Sequence, residues 1–401
     1  MVVPADWKFV ELGSVVTTGQ LGGNYPNSSV SDGFPLIKMG NLGRGKIDMS
    51  SRYFLARGLS PSSLDVLKPN DVLFNTRNTL DLVGKVAIWR NELPAACFNS
   101  NIMRLSFDSS VVCNEYANYA LNTSVSTKAL REMATGTTSV AAIYGRDLWL
   151  LPFLLPPLKE QEAIAEALSD ADAAIESLDA LIAKKRDIRG AVLFNLIVDN
   201  GHKNLVSFKS DVSLKARIGW QGLTTGEYEI SSDCFLVTGT DLNGGAVDWE
   251  SCWQVAQKRY DQDPNIQLRN NDVLVTKDGT IGKVGFVAEL QGKATLNSGV
   301  FVIRPTAKHV IPEYLRYVMF SPLFRRFLDR LAAGSTISHL YQKDFVNFSF
   351  AVPSVDEQVS ISNALDDVDS EIRSLIEQSK KLRMMKEGMM QDLLTGKVRL
   401  V

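Results

Sequence analysis

Two stretches of the chain carry apolar residues at an alternating spacing of four and three, the pattern of an amphipathic helix with a coiled-coil seam. In the first, the stripe runs through Ile164, Leu168, Ala171, Ile175, Leu178 and Ile182, and its register continues through Lys185 and Arg189 to Val192 and Leu196. In the second it runs through Ile361, Leu365, Val368, Ile372, Leu375 and Leu382 to Met389 and Leu393, with Ser379 and Lys386 in the gaps. Pro156-Pro157 and Pro353 announce the two helices, acidic residues follow (Glu160, Glu162; Asp356, Glu357), and basic ones come later (Lys184-Lys185-Arg186; Lys380-Lys381, Arg383). That order suits the helix dipole. Roughly 35–40 residues at about 1.5 Å each make a rod of some 55 Å. An apolar seam of that length needs a partner, and the nearest is the other rod. The expected arrangement is an antiparallel pair with one globular module at each end; a homodimeric coiled coil is the alternative.

Upstream of each rod the pattern shortens. Val72-Leu73-Phe74, Val86-Ala87-Ile88-Trp89, Val273-Leu274-Val275 and Val300-Phe301-Val302-Ile303 read as strands between Gly/Asn/Asp turns, and 115–132 and 312–331 read as helical. A glycine loop follows each helical segment, Gly136-Thr137-Thr138 and Gly334-Ser335-Thr336, and Asp199-Asn200-Gly201 resets the pattern between the halves. The halves also share short motifs: Asn70-Asp71-Val72-Leu73 returns as Asn271-Asp272-Val273-Leu274, Gly84-Lys85-Val86 as Gly282-Lys283-Val284, and Glu160-Gln161 as Glu357-Gln358. A period near 200 residues is a duplicated domain, because solenoid repeats are several times shorter. The expected fold class is α+β: two similar domains of mixed sheet and helices at 1–155 and 200–352, with spacer helices at 156–199 and 353–401.

Composition narrows the functional classes. A chain of 401 residues, 45% hydrophobic, gives each half its own core. No apolar run is long enough to span a membrane, and the start lacks a targeting pattern, so a cytoplasmic location is expected. Four dispersed cysteines and three histidines support neither a zinc site nor a disulfide framework. The net charge of −2 argues at first against a nucleic-acid partner. The helical stretches 159–189 and 356–387, however, each hold eight acidic against five basic residues, so the remainder of the chain is modestly basic and compatible with phosphate contacts.

Catalytic signatures are missing. Gly40-Asn41-Leu42-Gly43-Arg44-Gly45-Lys46-Ile47 resembles a phosphate-binding loop, but Ile47 stands where a Ser or Thr would hold magnesium, and the matching Thr240 to Val247 keeps the turn and loses the lysine. No dinucleotide fingerprint, nucleophile elbow, metalloprotease motif or Asn-Pro-Pro-aromatic motif occurs. The remaining chemistry lies in polar loops at matching places: Lys38, Asn41, Arg44, Lys46, Arg77 and Asn78 in the first half, and Thr238, Thr240, Asp241, Asn243, Lys277 and Asp278 in the second. Arg, Lys and Asn match the donor and acceptor patterns of base edges, and loop cations also serve phosphates. Those residues are the DNA-binding candidates; no catalytic or metal-ligating residue is expected.

Together the two halves, the segment Asp272-Val-Leu-Val-Thr-Lys-Asp-Gly-Thr-Ile-Gly-Lys-Val284 with its weaker partner at 71–86, the Pro-x-x-x-Glu-Gln before each rod, and the ending Leu393-Leu394-Thr395-Gly396-Lys397-Val398-Arg399 resemble a type I restriction-modification specificity (S) subunit. The likeness spans nearly the whole chain. It implies a non-catalytic reader of double-stranded DNA, with one half-site of a bipartite, asymmetric target per recognition domain and the helices as a ruler for the spacer. It further implies methyltransferase subunits, usually two, that bring S-adenosylmethionine, and endonuclease/translocase subunits that bring ATP and Mg2+; this chain itself needs no cofactor. A self-contained methyltransferase or nuclease, and a coiled-coil scaffold without DNA specificity, are the competing readings. The first half departs from the family pattern at Asn75 to Gly84, where an insertion lengthens the loop; a different half-site specificity is the expected consequence.

Overall fold

The apolar runs build the same four-stranded antiparallel sheet twice. A computed structural model describes residues 4–29, 33–198, 204–219, 222–332 and 339–400. The Asp199-Asn200-Gly201 turn and the Gly334-Ser335-Thr336 loop lie outside the described residues. The chain forms two compact units, Met1–Asp179 with Glu377–Val401, and Ala180–Ile376.

In the first unit, β1 (Val16–Leu21), β2 (Val72–Asn75), β3 (Val86–Ile88) and β4 (Ile102–Phe107) lie in the order β1-β4-β2-β3. Helices α1 (Asn114–Leu121) and α2 (Ser124–Met133) follow, and then the long α3 (Leu158–Leu193). In the second, β5 (Val212–Ala216), β6 (Val273–Thr276), β7 (Val284–Phe286) and β8 (Val300–Pro305) repeat the order as β5-β8-β6-β7. They are followed by α4 (Pro312–Phe320), α5 (Pro322–Ala332) and the long α6 (Val355–Leu393). Each segment expected as one helix upstream of a rod is in fact two. Thr123 breaks the first by capping α2, its hydroxyl accepting from the Ser126 N–H at 3.2 Å. Pro322, which cannot donate within a helix, breaks the second at Ser321.

Strands β2 and β6 are buried throughout because their sheets are covered on both faces. Val72 and Phe74 face a core shared with Tyr116, Ile164 and Leu168, whereas Leu73 faces a second core with Ile37, Leu42 and Ile47. Val273 and Val275 likewise join Tyr314, Ile361 and Leu365, and Leu274 joins Val237, Leu242 and Val247. One face of each sheet therefore carries helices, and the other carries the loops that hold the candidate site.

The duplicated motifs are joints of this frame. Asn70 and Asn271 adopt positive φ (67° and 68°) in the turns that enter β2 and β6. Asp71 and Asp272 then accept the N–H of Lys68 and of Arg269, each at 2.8 Å, and pair with Arg104 on β4 at 3.0 Å and Arg304 on β8 at 2.6 Å. Gly84 and Gly282 also take positive φ, and a Cβ at Gly282 would lie 2.6 Å from Leu328. Gln161 is fully buried at the start of α3: it accepts the Cys113 N–H at 2.9 Å and donates to the carbonyls of Val111 and Pro156. Gln358 repeats this at α6 with the Ile311 N–H and the carbonyls of His309 and Pro353. Each rod is thus pinned to the loop before its own module's first helix. Glu160 does more than favour the helix dipole: buried, it accepts from the Trp7 indole at 2.8 Å and from Arg399, which also grips Asp6, so the segment around Arg399 closes onto Asp6 and Trp7.

The long helices run antiparallel within each unit. In the first, Asp172 of α3 meets Lys386 of α6 at 2.5 Å, and Asp179 meets Ser379 and Arg383. In the second, Lys185 of α3 meets Glu371 of α6 at 2.7 Å and Arg189 meets Asp369. The numbers rise on one helix as they fall on the other. Of the seam positions, Ile164, Leu168, Ile175, Ile182, Ile361, Leu365, Ile372 and Leu375 are buried, and Leu178, Val368 and Leu382 are partly buried. The polar residues that interrupt the stripe, Lys185, Arg189, Ser379 and Lys386, make these pairs, joined by Arg383 at Asp179. The carboxylates Asp172, Asp179, Asp369 and Glu371 serve as their partners.

A tyrosine from each module completes two matching clusters. The Tyr119 hydroxyl of α1 donates to Asp172 at 2.8 Å with the Lys386 ammonium 5.4 Å from the ring, and Tyr317 of α4 donates toward Asp366 and Asp369 with the Arg189 guanidinium 5.9 Å from its ring. Burial, helped by the neighbouring carboxylates, pushes both phenols well above their ordinary pKa. They stay neutral donors.

Two outcomes follow for stability. Gln161→Ala orphans a buried N–H and buried carbonyls, so it is expected to destabilise the first unit by about 2–4 kcal/mol, seen as lost hydrogen-exchange protection around Cys113 and in urea unfolding; a change below about 0.5 kcal/mol refutes the pin. At Asp179, partial burial opposes ionisation, but hydrogen bonds from Arg383 and Ser379 outweigh it and hold the carboxyl below its ordinary 3.8. Its contribution is present above that ordinary value and lost as pH falls through the lowered one. Thermal midpoints of wild type and Asp179→Asn should therefore differ at pH 7 and converge below pH 3.8; a gap that persists in acid excludes the carboxylate charge as its source.

Candidate nucleic-acid interface

On the loop-bearing face of each sheet the chain makes the same hairpin. In the first unit Leu42 bridges Ile47, the Gly43 N–H donates to the Lys46 carbonyl at 2.9 Å, and the Gly45 N–H donates to Val86 of β3 at 2.7 Å. In the second, Leu242–Asn243 pairs with Ala246–Val247. The side chains of Asn41 and Asp241 fold these hairpins. Asn41, 1% exposed, accepts the Lys38 N–H at 3.0 Å and donates to the carbonyls of Asp48 and Ser51. Asp241, 2% exposed, accepts the N–H and hydroxyl of Thr238 at 2.7 and 2.9 Å. These two sequence candidates are therefore turned inward, with their polar atoms committed to the loop.

Other candidates face outward. Arg44, Lys46, Thr240 and Asn243 are exposed, and Lys38 and Thr238 are half-buried. Lys46 lies 3.7 Å from Glu176 of α3, a pair so exposed that it contributes little and leaves the ammonium available. Hydrogen bonds from Ser50 hold the nearby Asp48 carboxyl below its ordinary range. Lys38 donates to Asn27 at 3.2 Å and sits 4.5 Å from the Tyr53 ring.

The second candidate group lies on the loops after β2 and β6. Asn75 and Thr276 end those strands with buried side chains that hold the loops: Asn75 accepts the Arg77 N–H and donates to the Leu82 carbonyl, and Thr276 donates to Thr280 and accepts the Lys283 N–H. Arg77 is exposed, and Asn78 caps its own loop through the Thr79 N–H. Lys277 lies half-buried with its ammonium 5.5 Å from the Phe301 ring, and Asp278 faces the His339 ring. Lys283 reaches the Gly239 carbonyl at 3.5 Å, which joins loop 277–283 to the turn of Thr238 and Thr240.

Sequence reasoning missed one component. The Gly136 loop, read as a connection before the rod, is the turn of a three-stranded ribbon: Thr135–Gly136 pairs with Ala141–Ala142, which pairs with Arg77–Asn78. Its signal was the run Gly136-Thr137-Thr138-Ser139, small and polar, between residues of strand propensity. Among the described residues no group of three or more His, Cys, Asp or Glu is placed to hold a metal ion, and no helix is long and apolar enough to cross a membrane.

Folded into a turn, Asn41 carries stability and Arg44 does not. Asn41→Ala should cost about 1–3 kcal/mol in thermal unfolding, whereas Arg44→Ala and Thr240→Ala should stay within about 0.5 kcal/mol. Equal effects at all three positions contradict this division.

The family model for the type I restriction modification DNA specificity domain matches residues 4–184 and 225–382. The putative type I restriction enzyme MjaX specificity subunit of Methanocaldococcus jannaschii is 20% identical over 412 residues, covering 99% of this chain and 95% of that protein. The type I restriction enzyme EcoBI specificity subunit of Escherichia coli is 25% identical over 385 residues, 88% of this chain and 77% of that one. Among solved structures, the S subunit of the type I restriction-modification system from M. genitalium superposes with a TM-score of 0.63 at 14% identity, covering 98% of this chain and 96% of that one, which is a likeness of fold.

Proposed function

This chain belongs to the type I restriction-modification DNA specificity family, the non-catalytic, sequence-specific DNA-recognition subunits of those systems, and on that premise we propose that its two halves divide a bipartite, asymmetric target between them. The recognition domains are 1–155 and 200–352, and the helical segments 156–199 and 353–401 set the unspecified spacer. One observation carries this reading: two copies of a frame keep the joints at Asn70 and Asn271, Asp71 and Asp272, and Gln161 and Gln358, while the loops mounted on it differ. A frame that holds and loops that diverge suit two readers of two different half-sites.

Within each reader, Arg44, Lys46, Arg77, Asn78 and Lys38 in the first, and Thr238, Thr240, Asn243, Lys277 and Asp278 in the second, meet the duplex. Asn41 and Asp241 act by shaping their hairpins. Cations among these serve phosphates and register; Arg and Asn also suit base edges. The partners are double-stranded DNA, two methyltransferase subunits that bind S-adenosylmethionine, and endonuclease/translocase subunits that use ATP and Mg2+. The chain supplies target choice and leaves the chemistry to them.

The test is binding of a duplex carrying both half-sites by the chain assembled with its methyltransferase partner. Affinity is expected to fall when one base pair is added to or removed from the spacer, and each lost phosphate contact should flatten the salt dependence by about one unit of slope. Affinity indifferent to spacer length defeats the two-reader arrangement.

A further inference from the structure

We propose that the ribbon formed by Thr135–Gly136, Ala141–Ala142 and Arg77–Asn78 is the element that enters the major groove of the first half-site, with Arg77 as its base-reading side chain. The inference rests on the DNA-reading role above and adds to it a specific element, a groove and a reader.

Four observations converge on the ribbon. The first is presentation. Gly136, at φ 125°, turns the chain where a Cβ would lie 2.3 Å from the Val140 carbonyl, and residues 137–140 at the tip are exposed, Val140 by 58%. The second is rigidity. The Thr137 N–H donates to the Val140 carbonyl at 2.8 Å, the Thr137 hydroxyl accepts the Val140 N–H at 3.2 Å, and the Leu80 N–H docks on the Thr138 carbonyl at 3.1 Å. At the base, the Ile143 N–H donates to the Thr76 carbonyl at 2.9 Å, and Asn75 fixes the Arg77 N–H. A loop tied at tip and base loses little entropy on binding.

The third is the state of Arg77. Arg90, Arg104 and Arg131 in the same unit each meet a carboxylate. Arg77 is exposed, and among the described residues its guanidinium meets none, so its five donors are free for an external acceptor. The fourth is fit. The major groove of B-DNA admits a two-stranded β-ribbon, which the hairpin Thr135–Gly136 with Ala141–Ala142 supplies. Arg77 lies on the strand beside that hairpin, and an arginine paired with guanine O6 and N7 is the commonest specific contact there. Beside it the tip offers two threonines, a serine and one valine, which suit phosphate oxygens and a thymine methyl. The insertion that separates Asn75–Gly84 from its shorter counterpart belongs to the same element, since Leu80 is what ties that loop to the tip.

The experiment maps the methylated motif. The full chain, assembled with its methyltransferase partner and S-adenosylmethionine, is given a random-sequence duplex library, and modified molecules are sequenced for wild type, Arg77→Ala, Arg77→Lys and the triple variant Thr137→Ala/Thr138→Ala/Ser139→Ala. For wild type a bipartite motif is expected; its absence removes the two-reader arrangement itself, independently of the ribbon. Given that motif, Arg77→Ala should lower affinity about ten- to a hundredfold and relax base preference in one half-site only, with the other half unchanged. Arg77→Lys should not restore it, because an ammonium lacks the bidentate fork. A loss equal across all sequences makes Arg77 a phosphate contact and overturns the reading role, and full rescue by lysine overturns the bidentate fork as its means. An unchanged motif in Arg77→Ala and the triple variant, with unfolding midpoints at the wild-type value, overturns the ribbon altogether.

Discussion

The fold hangs on the polar pairs between its two long helices. An apolar stripe at spacing four and three brings two helices together without deciding their direction or register. Lys185, Arg189, Ser379 and Lys386 interrupt that stripe, and each finds its partner only in the antiparallel alignment: Glu371, Asp369, Asp179 and Asp172. A slip by one turn, or a parallel pairing, leaves these partly buried charges without their partners. Tyr119 and Tyr317 extend the same device to the modules, since each donates to a carboxylate that a cation on the opposing helix also binds. Helix register and module orientation are thereby specified by one cluster in each unit.

A second set of joints makes the frame repeatable. Gln161 and Gln358 satisfy the same three backbone groups in each half, and Asp71 and Asp272 clamp the same turn to an arginine on the neighbouring strand. Burial enforces this chemistry, because each group left unpaired in such a place costs on the order of 1–3 kcal/mol. Surface loops carry no such constraint. The hairpins at 42–47 and 242–247 hold their shape through one inward side chain, Asn41 or Asp241, and leave the outward positions open to change. Rigid joints below and unconstrained positions above are what a duplicated reader needs to acquire two specificities.

Much of this was legible in the sequence. The heptad stripe gave the rods, the 200-residue period gave the duplication, and the short apolar runs gave strands. The motifs that carried the family resemblance were legible as repeats, but their role was not. Asn-Asp before β2 and Glu-Gln at the head of α3 are polar and recurrent, which fits contact residues as well as joints; burial alone distinguishes them. For the same reason Asn41 and Arg44, three residues apart in one polar loop, were indistinguishable until one turned inward and the other outward.

By itself the sequence determined periodicity, element type and the existence of two copies, because these follow from local spacing and from composition that any window of the chain displays. Only the tertiary structure decided which polar residues are spent on the fold and which stay available. That division depends on partners far away in sequence: Glu160 with Arg399, Asp172 with Lys386, Arg77–Asn78 with Ala141–Ala142. A side chain's hydrogen-bonding capacity is fixed by its type, but whether it is consumed depends on which distant groups the fold brings within about 3 Å of it.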